Sequence, residues 1–359
     1  MKVLVTGGAG FIGANLAIGL AAGHPDWQIT ALDNLQRRGS ELNLPRLRSG
    51  GVDFVHGDVR AADDLLAVGP VDAVVECSAE PSVLAGVDGS GLDRMVGTNL
   101  FGAYACLELC RRHDAQLVFL STSRVYPVDR LRTLPLREAE TRFELADDSA
   151  VPGATARGVS EALALDGHRT LYGATKLAAE LLIEEYVATF GLPAVVNRCG
   201  VVAGPWQMGK VDQGVVAFWM LAHVFRRPLT YIGFDGTGKQ VRDMLHVDDL
   251  RELVDLQLSD PGSWAGVVAN VGGGPACSTS LLELTELCAE ITGNVVDVSA
   301  APEDRPGDIP WYVTDSTRLN GLTSWRPSST ARGILTDVHD WIRRNEPEVE
   351  AALAIEGGR

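Results

Sequence analysis

Apolar residues are arranged along the chain in two alternating patterns, short continuous runs and longer stretches with helical spacing. The first segment, "KVLVTGGAGFIGANLAIGLAAG", begins with a β-branched run, breaks into glycines and continues with apolar residues three and four apart. This pattern is typical of a strand, a turn and a helix. Further apolar runs that we interpret as strands lie at 27–33, 52–58, 71–77, 115–122, 193–198 and 266–272.

The alternation predicts an α/β fold, a Rossmann-type doubly wound parallel sheet with helices on both faces. After residue 198 the pattern becomes less regular, which predicts a smaller, C-terminal substrate-binding lobe over the carboxyl edge of the sheet. We expect an NAD-binding domain of 1–198 plus about 245–275, and a substrate-binding lobe of about 199–244 plus 276–359. The segment 128–170 is long for a connection, and long ordered loops are often functional.

Composition narrows the class of protein. The chain has 359 residues and a formal net charge of −16, which argues against a nucleic-acid partner because phosphate binding needs a basic surface. Its six cysteines contain no CxxC pair, so we expect reduced thiols and no metal site. There is no apolar run of membrane-spanning length and no signal-peptide pattern, so we expect a cytoplasmic protein with no membrane partner.

The glycine turn after the first strand indicates a dinucleotide site. Gly7 permits a tight bend, Gly10 lets the backbone approach a pyrophosphate, and Gly13 allows the helix to pack closely on the strand. The start of the helix adds amide donors for phosphate. An ordinary turn between a strand and a helix is the alternative, and Asp33 at the end of the second strand argues against it.

The carboxylate of Asp33 can accept both ribose hydroxyls of NAD and repel the 2′-phosphate of NADP. Arg37 and Arg38 could accommodate that phosphate, so NADP stays an alternative. The first group of residues expected to bind NAD is Gly7, Gly10, Phe11, Ile12, Gly13, Asp33, Asn34 and Arg37.

Later strand ends add four more residues to the expected cofactor site. Asp58 and Val59 follow the third strand and are expected beside the adenine, although Asp58 could simply end its strand. Ser78 and Ala79 follow the fourth strand. We also assign Asn99 to this site, with an amide that bonds backbone nearby.

The stretch "LYGATKLAAELLIEEY" places Tyr172 and Lys176 four residues apart at a helix start, hence on one face. An ammonium beside a tyrosine favours the phenolate, which would make Tyr172 a base for an alcohol proton near neutral pH. YxxxK also occurs by chance, so the pair gains weight from the glycine turn, Asp33 and the hydroxyl cluster in "LSTSRVYP".

Together these motifs resemble the extended short-chain dehydrogenase/reductase family, which includes nucleotide-sugar epimerases and dehydratases. The segments "TGGAGFIG", "LDNL", "GDV", "TNLFGA", "STSRVY", "YGATK", "RDMLHVDDL" and "NVGGG" fall in family order over nearly the whole chain. The resemblance implies bound NAD, with Tyr172 as the base, Lys176 on the nicotinamide ribose and Thr122 bonding the reacting oxygen. It also implies a homodimer through a four-helix bundle formed by the helices near 95–112 and 172–190.

The two residues after Thr122 distinguish the reactions of this family. In the resembling dehydratases these places hold Asp and Glu, and decarboxylating relatives have a glutamate at the second place. Here they hold Ser123 and Arg124. Without those carboxylates we expect oxidation of a sugar carbon followed by return of the hydride, which is epimerisation.

The best-matching subgroup is the CDP-tyvelose (CDP-paratose) 2-epimerases, which share "TSRVY", "DQG" and "GKQVRD". The chain departs from that subgroup at "ECSAEPSVLAG", where Glu80 and Pro81 replace Gly and Gln. It also lacks the Gln that this subgroup has after the position of Arg198. We therefore expect a nucleotide-sugar epimerase acting at C2 of a CDP-hexose. A UDP-hexose or UDP-hexuronate 4-epimerase and a catalytically silent NAD-sensing regulator are the alternatives.

Arginines and strand-end amides supply the candidate substrate contacts. Arg242 and Arg305 could hold the diphosphate as bidentate donors, and Asn197 ends the sixth strand at the ligand-binding edge. A solvated arginine is the alternative for Arg305, and a structural ion pair is the alternative for Arg124. The expected substrate-binding residues are Ser123, Arg124, Asn197, Gln213, Arg242 and Arg305.

Overall fold

The computed structural model describes residues 1–82, 90–146, 149–209 and 213–354. The strands, numbered in chain order, are β1 (Lys2–Thr6), β2 (Gln28–Asp33), β3 (Asp53–His56), β4 (Ala73–Glu76), β5 (Gln116–Thr122), β6 (Leu136–Glu138), β7 (Phe143–Leu145), β8 (Ala154–Thr155), β9 (Gly158–Val159), β10 (Ala194–Cys199), β11 (Val201–Ala203), β12 (Leu229–Ile232), β13 (Val241–His246), β14 (Val267–Val271), β15 (Ser278–Ser280), β16 (Val298–Ala301) and β17 (Trp311–Tyr312).

The helices, numbered in the same way, are α1 (Phe11–Gly23), α2 (Leu44–Ser49), α3 (Ala62–Ala67), α4 (Leu92–Val96), α5 (Gly102–His113), α6 (Val128–Arg132), α7 (Leu171–Phe190), α8 (Val215–Val224), α9 (Val247–Ser259), α10 (Pro261–Trp264), α11 (Leu281–Thr292), α12 (Thr317–Leu322), α13 (Ala331–Arg344) and α14 (Glu346–Ala354). A π-helical turn over Gly97–Phe101 joins α4 to α5.

Seven strands form the main sheet, in the order β14–β10–β5–β4–β1–β2–β3, and every neighbouring pair is parallel. Helices α1 and α9 cover one face, and α5 and α7 cover the other. Two buried faces explain why the central strands are continuous apolar runs. The predicted Rossmann-type fold is confirmed, and all six later strand predictions lie in this sheet.

The rest of the chain packs around a separate apolar cluster. Strands β11, β13 and β15 form a second sheet with β17 beside β13, and β12 pairs with β16. Helices α8, α11 and α13 contribute most of the core of this region. Because β14 joins the main sheet and α9 packs against α1, the chain returns to the first region before it ends. The exact division into two lobes stays a prediction.

The long segment 128–170 folds into α6 and the short ladders β6–β7 and β8–β9. Its apolar side chains pack against the region near Ile309 and Trp311. Of the residues in this segment that the structure describes, none lines the large cleft described below. The segment therefore braces the substrate region from outside.

No helix among the described residues combines the length and apolarity that crossing a membrane requires. The same residues contain no group of three or more His, Cys, Asp or Glu side chains arranged to hold a metal ion.

Candidate active site

A cleft of about 1140 Å³ lies at the carboxyl edge of the parallel sheet. Its floor is made by the ends of the main-sheet strands, and its far wall by α8, β12 and β13. Ligands of open α/β sheets bind at this edge, where the strand ends leave a crevice. The position of the cleft therefore agrees with the site expected from sequence.

The glycine turn forms one end of the cleft. A Cβ atom on Gly13 would lie 2.2 Å from the carbonyl oxygen of Gly7, so only glycine lets α1 pack this closely. The Gly10 amide donates to the Gly7 carbonyl at 3.0 Å, and α1 begins at the next residue. The first turn of α1 thus presents its amides to the cleft, as an anionic ligand requires.

Asp33 connects this turn to the end of β2. Its carboxylate accepts hydrogen bonds from the backbone amides of Ala9, at 3.1 Å, and Leu35, at 2.8 Å. Burial raises the pKa of Asp33, while these amides act against that rise. Because the carboxylate also lines the cleft, the turn and the acid together fit the phosphates and ribose of a dinucleotide.

Most of the residues predicted to bind the cofactor line the cleft. These are Gly7, Gly10, Phe11, Ile12, Gly13, Asp33, Asn34, Arg37, Val59, Ser78, Ala79, Tyr172 and Lys176.

Two residues predicted to bind the cofactor, Asp58 and Asn99, do not line the cleft. The Asp58 carboxylate accepts a hydrogen bond from Asn34 Nδ2 at 2.9 Å and pairs with Arg60 at 2.6 Å, which lowers its pKa. Asn99 is fully buried and holds the Glu80 backbone amide at 2.8 Å. Its amide bonds backbone as expected, but it braces the wall of the cleft from behind.

Tyr172 stands in the first turn of α7, and a close backbone contact sets its position. The Thr170 hydroxyl caps the helix by accepting from the Gly173 amide at 3.2 Å. A Cβ on Gly173 would lie 2.0 Å from the Arg124 carbonyl oxygen, so glycine lets α7 touch the turn after β5. This contact places Tyr172 beside Thr122, whose hydrogen bond acts to lower the pKa of the phenol.

The protonation of Tyr172 differs from the expectation. Burial raises the pKa of its phenol above the usual range, although the charge of Lys176 and the hydrogen bond with Thr122 act in the opposite direction. The expected phenolate near neutral pH is therefore not produced by these residues alone. Lys176, which lowers the pKa of Tyr172, is also paired with a buried acid.

Lys176 Nζ lies 3.2 Å from Glu76 Oε2, and the two side chains are 2% and 1% exposed. The ammonium also sits 4.3 Å from the ring centre of Phe119 on β5. Glu76 ends β4 and was not among the predicted site residues. An acid inside the apolar run "AVVEC" was the available signal, since charged residues are almost never fully buried unless paired.

Three predicted arginines meet at the substrate end of the cleft, and all three line it. Arg124 donates from Nη1 to the Gly307 carbonyl at 3.0 Å. Arg242 donates from Nη2 to Asp308 Oδ1 at 3.1 Å and to the Ile309 carbonyl at 2.7 Å. The two guanidinium groups thereby hold the loop that carries Arg305.

Burial lowers the pKa of Arg242 to about 10, against the opposing charge of Asp308. Arg242 is therefore protonated at neutral pH and available to an anionic ligand. Ser123 and Gln213 also line the cleft, as predicted. Asp212, which begins the "DQG" segment, lies outside the described residues.

Asn197 does not belong to the site. It is fully buried, and its amide pairs twice with that of Gln257 on α9, at 2.8 and 2.9 Å. The strand β10 continues to Cys199, so Asn197 lies below the edge of the sheet and faces a helix. The prediction placed the strand end one residue too early.

A buried polar network lies behind the turn that follows β5, Ser123–Val125, and supports it. Arg198 donates to Glu180 Oε2 at 2.7 Å, and Glu180 also accepts from the Ser121 hydroxyl. The Tyr126 hydroxyl donates to Asn270 Oδ1 at 2.7 Å. The end of β5 is therefore fixed to α7, β10 and β14 at once.

The far wall of the cleft was missed from sequence. It is formed by aromatic, apolar and amide side chains, namely Trp206, Gln207, Phe218, Trp219, Leu229, Thr230, Ile232 and Gln240. In "VVAFWMLAHV" these aromatics look like the core face of an apolar helix, which several of their neighbours are. Pattern alone does not show which apolar side chains border a cavity.

Among the described residues that line the cleft, the acids are Asp33, Glu80 and Asp308. Asp33 lies in the dinucleotide half, and Asp308 is paired with Arg242. Glu80 Oε2 lies 3.8 Å from Arg94. None of the three stands directly after Thr122, where the dehydratases that the sequence resembles have their acid and base.

Comparisons with known proteins agree with this geometry. The sequence profile of the NAD dependent epimerase/dehydratase family matches residues 3–272. The chain is 31% identical to the CDP-paratose 2-epimerase of Salmonella typhi, over 95% of this chain and 99% of that one. It is 32% identical to the dTDP-glucose 4,6-dehydratase of Mycolicibacterium smegmatis, over 96% of this chain and 94% of that one.

Solved structures extend the comparison. The UDP-glucose 4-epimerase of Thermus thermophilus, solved in complex with NAD, matches with a TM-score of 0.75 and 28% identity, over 96% of this chain and 99% of that one. The UDP-glucuronic acid 4-epimerase of Bacillus cereus, solved with UDP-glucuronic acid and NAD, matches with a TM-score of 0.78 and 24% identity, over 96% and 99%. The second likeness concerns the fold alone.

Proposed function

Because the chain belongs to the NAD-dependent epimerase/dehydratase family, whose members act on nucleotide sugars, we propose that it is an epimerase that inverts C2 of a CDP-hexose. It is an NAD-dependent enzyme, and the dinucleotide half of the cleft fits that cofactor. The proposal concerns the reaction and the substrate, which the family alone leaves open between epimerisation and dehydration.

The observation that carries the proposal is the pair of residues after Thr122. Ser123 and Arg124 stand there, and both line the cleft. A guanidinium stays protonated at physiological pH, so Arg124 cannot remove a proton from a carbon beside a ketone. Elimination of water needs such a base, whereas epimerisation by oxidation and reduction at one carbon does not.

The roles of the residues follow from this reaction. Tyr172 takes the proton of the sugar hydroxyl, and Thr122 bonds the same oxygen and orients it. Lys176 binds the nicotinamide ribose of NAD. Arg124 orients a hydroxyl of the sugar substrate. NAD, when bound, supplies the hydride acceptor and donor. Arg242 and Arg305 bind the diphosphate, since both reach the same end of the cleft.

The likeness to a CDP-paratose 2-epimerase over nearly the full length of both chains supports C2 and a CDP-sugar. A second candidate is epimerisation at C4 of a UDP-sugar. It is supported by the 28% identity to a UDP-glucose 4-epimerase, and it would use the same tyrosine, lysine and threonine. The two candidates differ in which hydroxyl the sugar presents to Tyr172.

A panel of CDP-, UDP-, GDP- and dTDP-sugars incubated with the enzyme in heavy water tests the proposal. We expect conversion of a CDP-hexose to its C2 epimer, with no carbon-bound deuterium by NMR, because the hydrogen that leaves the carbon does not exchange with solvent. Inversion at C4 of a UDP-sugar would replace the proposal by the second candidate. Deuterium on the ring or a 4-keto-6-deoxy product would overturn epimerisation.

Glu80 provides a control in the same panel, because it is the cleft carboxylate with no assigned role. Under the proposal, Glu80→Gln keeps turnover within about threefold of the unmodified enzyme, since loss of a general acid or base costs about a hundredfold or more. A hundredfold loss together with deuterium incorporation would identify Glu80 as a carbon base.

We also propose a homodimer formed through α5 and α7. Exposed apolar side chains lie along these helices and the turn before α5, including Phe101 at 60%, Leu181 at 56% and Phe190 at 55%. Tyr104 and Leu171 extend the same surface. Large apolar patches rimmed by polar residues mark interaction sites.

Light scattering after size-exclusion chromatography tests the dimer. The unmodified chain should have twice the monomer mass, and Leu181→Glu should reduce it to that of the monomer. Leu256→Glu, at a 44% exposed position on α9, is the matched control and should leave the mass unchanged. A monomeric unmodified chain would exclude the proposed assembly.

A further inference from the structure

Glu76 is a buried acid beneath the cleft that the proposed reaction does not use. It ends β4, and the next residue, Cys77, lines the cleft. Its Oε2 pairs with Lys176, and its Oε1 has no hydrogen bond of normal geometry, although the Ser78 backbone amide is close enough to act on the carboxyl and lower its pKa. A buried carboxylate with an unsatisfied oxygen is costly, so a well-bonded neutral residue would be more stable here.

Helix α7, which carries Lys176, also carries Glu180, and Glu180 forms a second buried ion pair with Arg198. This second pair serves for comparison, because its arrangement is purely structural. Glu180 accepts three hydrogen bonds from the Arg198 guanidinium and one from the Ser121 hydroxyl. Arg198 does not line the cleft. Glu76 and Lys176 share a single hydrogen bond, and the cation of this pair borders the cleft.

Three neutral thiols face the Glu76–Lys176 pair beneath the cofactor half of the cleft. Cys106 on α5 and Cys77, directly after β4, face Glu76, and Cys199 on β10 faces Lys176. Burial raises the pKa of Cys199 to about 12 and that of the other two thiols well above their usual range, so all three are neutral.

Beyond the pair, Tyr172 faces Lys176 from α7, and the nearest further charge acting on Tyr172 is Arg124. Asp308 and Arg242 act on Arg124 in turn and pair with each other. Glu76 lies directly against Lys176; burial raises the pKa of Glu76, while the charge of Lys176 and the hydrogen bonds from Lys176 and the Ser78 amide act against that rise.

We propose that Glu76 is a positioning residue that holds the Lys176 ammonium in the cleft floor and offsets its charge, so that the site prefers the cationic, oxidised nicotinamide to the neutral, reduced form. This inference rests on the proposed placement of NAD at Lys176, and not on the identity of the sugar. Without Glu76, the cations Lys176 and Arg124 would both repel a cationic ring, and such repulsion is weakly screened in a buried site.

The consequence suits an enzyme whose reaction starts with oxidation. Such an enzyme must return to the oxidised cofactor after every turnover, and any preference for the reduced form would trap it between cycles. A fixed carboxylate beneath the site sets this preference without touching the sugar.

The test measures the dissociation constants of NADH and NAD⁺ for the cofactor-free full chain, by NADH fluorescence and by displacement, at one fixed pH for all variants. Glu76→Gln should lower the ratio of the NADH constant to the NAD⁺ constant about tenfold, as removal of one nearby charge predicts. For a two-electron couple this change equals about 30 mV in the potential of the bound cofactor.

Two further variants separate charge from structure. The double variant Glu76→Gln/Lys176→Met removes both charges, so the ratio should return to within about threefold of the unmodified value; neutral replacement of a buried pair is also usually tolerated in folding. Glu180→Gln removes an equally buried acid whose cation does not line the cleft, and it should leave the ratio unchanged.

An unchanged ratio in folded Glu76→Gln, or an equal change in both constants, would overturn the inference and leave Glu76 a structural residue. A double variant that keeps the tenfold shift would overturn it as well. Failure of the unmodified chain to bind either nucleotide would instead contradict the proposed cofactor site, so the two failures are distinguishable.

Discussion

The two halves of the cleft are built in different ways. The cofactor half consists mainly of two continuous stretches, 7–13 and 33–37, and it offers backbone amides, glycines and one carboxylate. The substrate half is assembled from side chains far apart in the chain, among them Thr122, Tyr172 and Arg242. Cofactor binding is thus encoded locally, whereas the chemistry depends on tertiary contacts between the main sheet and the loops that cover it.

The largest effect should come from the substrate half. Tyr172→Phe should lower kcat at least about a hundredfold while NAD stays bound, because it removes the general base and leaves the dinucleotide contacts intact. Tyr186→Phe is the matched control on the same helix, since its hydroxyl bonds Glu108 away from the cleft. Turnover of Tyr172→Phe near that of the control would remove Tyr172 from the mechanism.

Substitution of Arg242 tests whether this side chain binds the diphosphate of the sugar nucleotide. Arg242→Met should raise the KM for the sugar nucleotide about 10- to 100-fold, the range expected when a buried charge-assisted hydrogen bond is lost. Arg242→Lys should recover part of the loss, because it restores the charge without the bidentate geometry. An equal KM in all three proteins, measured by initial rates, would place the diphosphate elsewhere.

Substitution of Asp33 tests the cofactor half of the cleft. Its effect should be smaller than that of Arg242→Met and should be confined to binding of NAD and NADP. Asp33→Ala should weaken NAD about tenfold and narrow the preference over NADP, through loss of the ribose acceptor and of like-charge repulsion. Asp58→Ala removes a nearby carboxylate that does not line the cleft and should leave selectivity unchanged. The same selectivity in both variants, by titration calorimetry, would show that the ribose is recognised elsewhere.

The smallest kinetic effect should occur at Asn197, which the structure removes from the site. Asn197→Ala should leave KM within about twofold but lower the free energy of unfolding by about 1–3 kcal/mol, because Gln257 keeps a buried amide without its partner. Urea denaturation and initial rates measure the two quantities. A large change in KM with unchanged stability would return Asn197 to the substrate half.

This contrast explains what the sequence could predict. Gly13 and Asp33 are recognisable because the chemistry of the turn lies within one stretch and constrains the residue types directly. Tyr172 and Lys176 share one helix face, so their spacing was also informative. The parallel sheet followed from the alternation of buried runs and helices.

The remaining features depend on contacts that spacing does not contain. The Glu76–Lys176 pair joins residues 100 positions apart, and the burial that raises the pKa of Tyr172 is likewise a result of tertiary packing. Asn197 shows the second limit, since one residue of error in a strand end moves a side chain from the cleft to a helix. The aromatic wall shows the third, because Trp219 is apolar in the same way whether it borders a core or a cavity.

The link between Tyr126 and Asn270 has a consequence for how the enzyme is made. Asn270 lies on β14, the last strand of the main sheet in chain order, and it also donates to the Val159 carbonyl of the 128–170 segment at 2.9 Å. On the ribosome, the glycine turn and Asp33 emerge early, while this link must wait until about three quarters of the chain has been synthesised. A nascent chain therefore contains the glycine turn and Asp33 long before the Tyr126–Asn270 hydrogen bond can form. Early binding of the nucleotide would stabilise the incomplete sheet against aggregation.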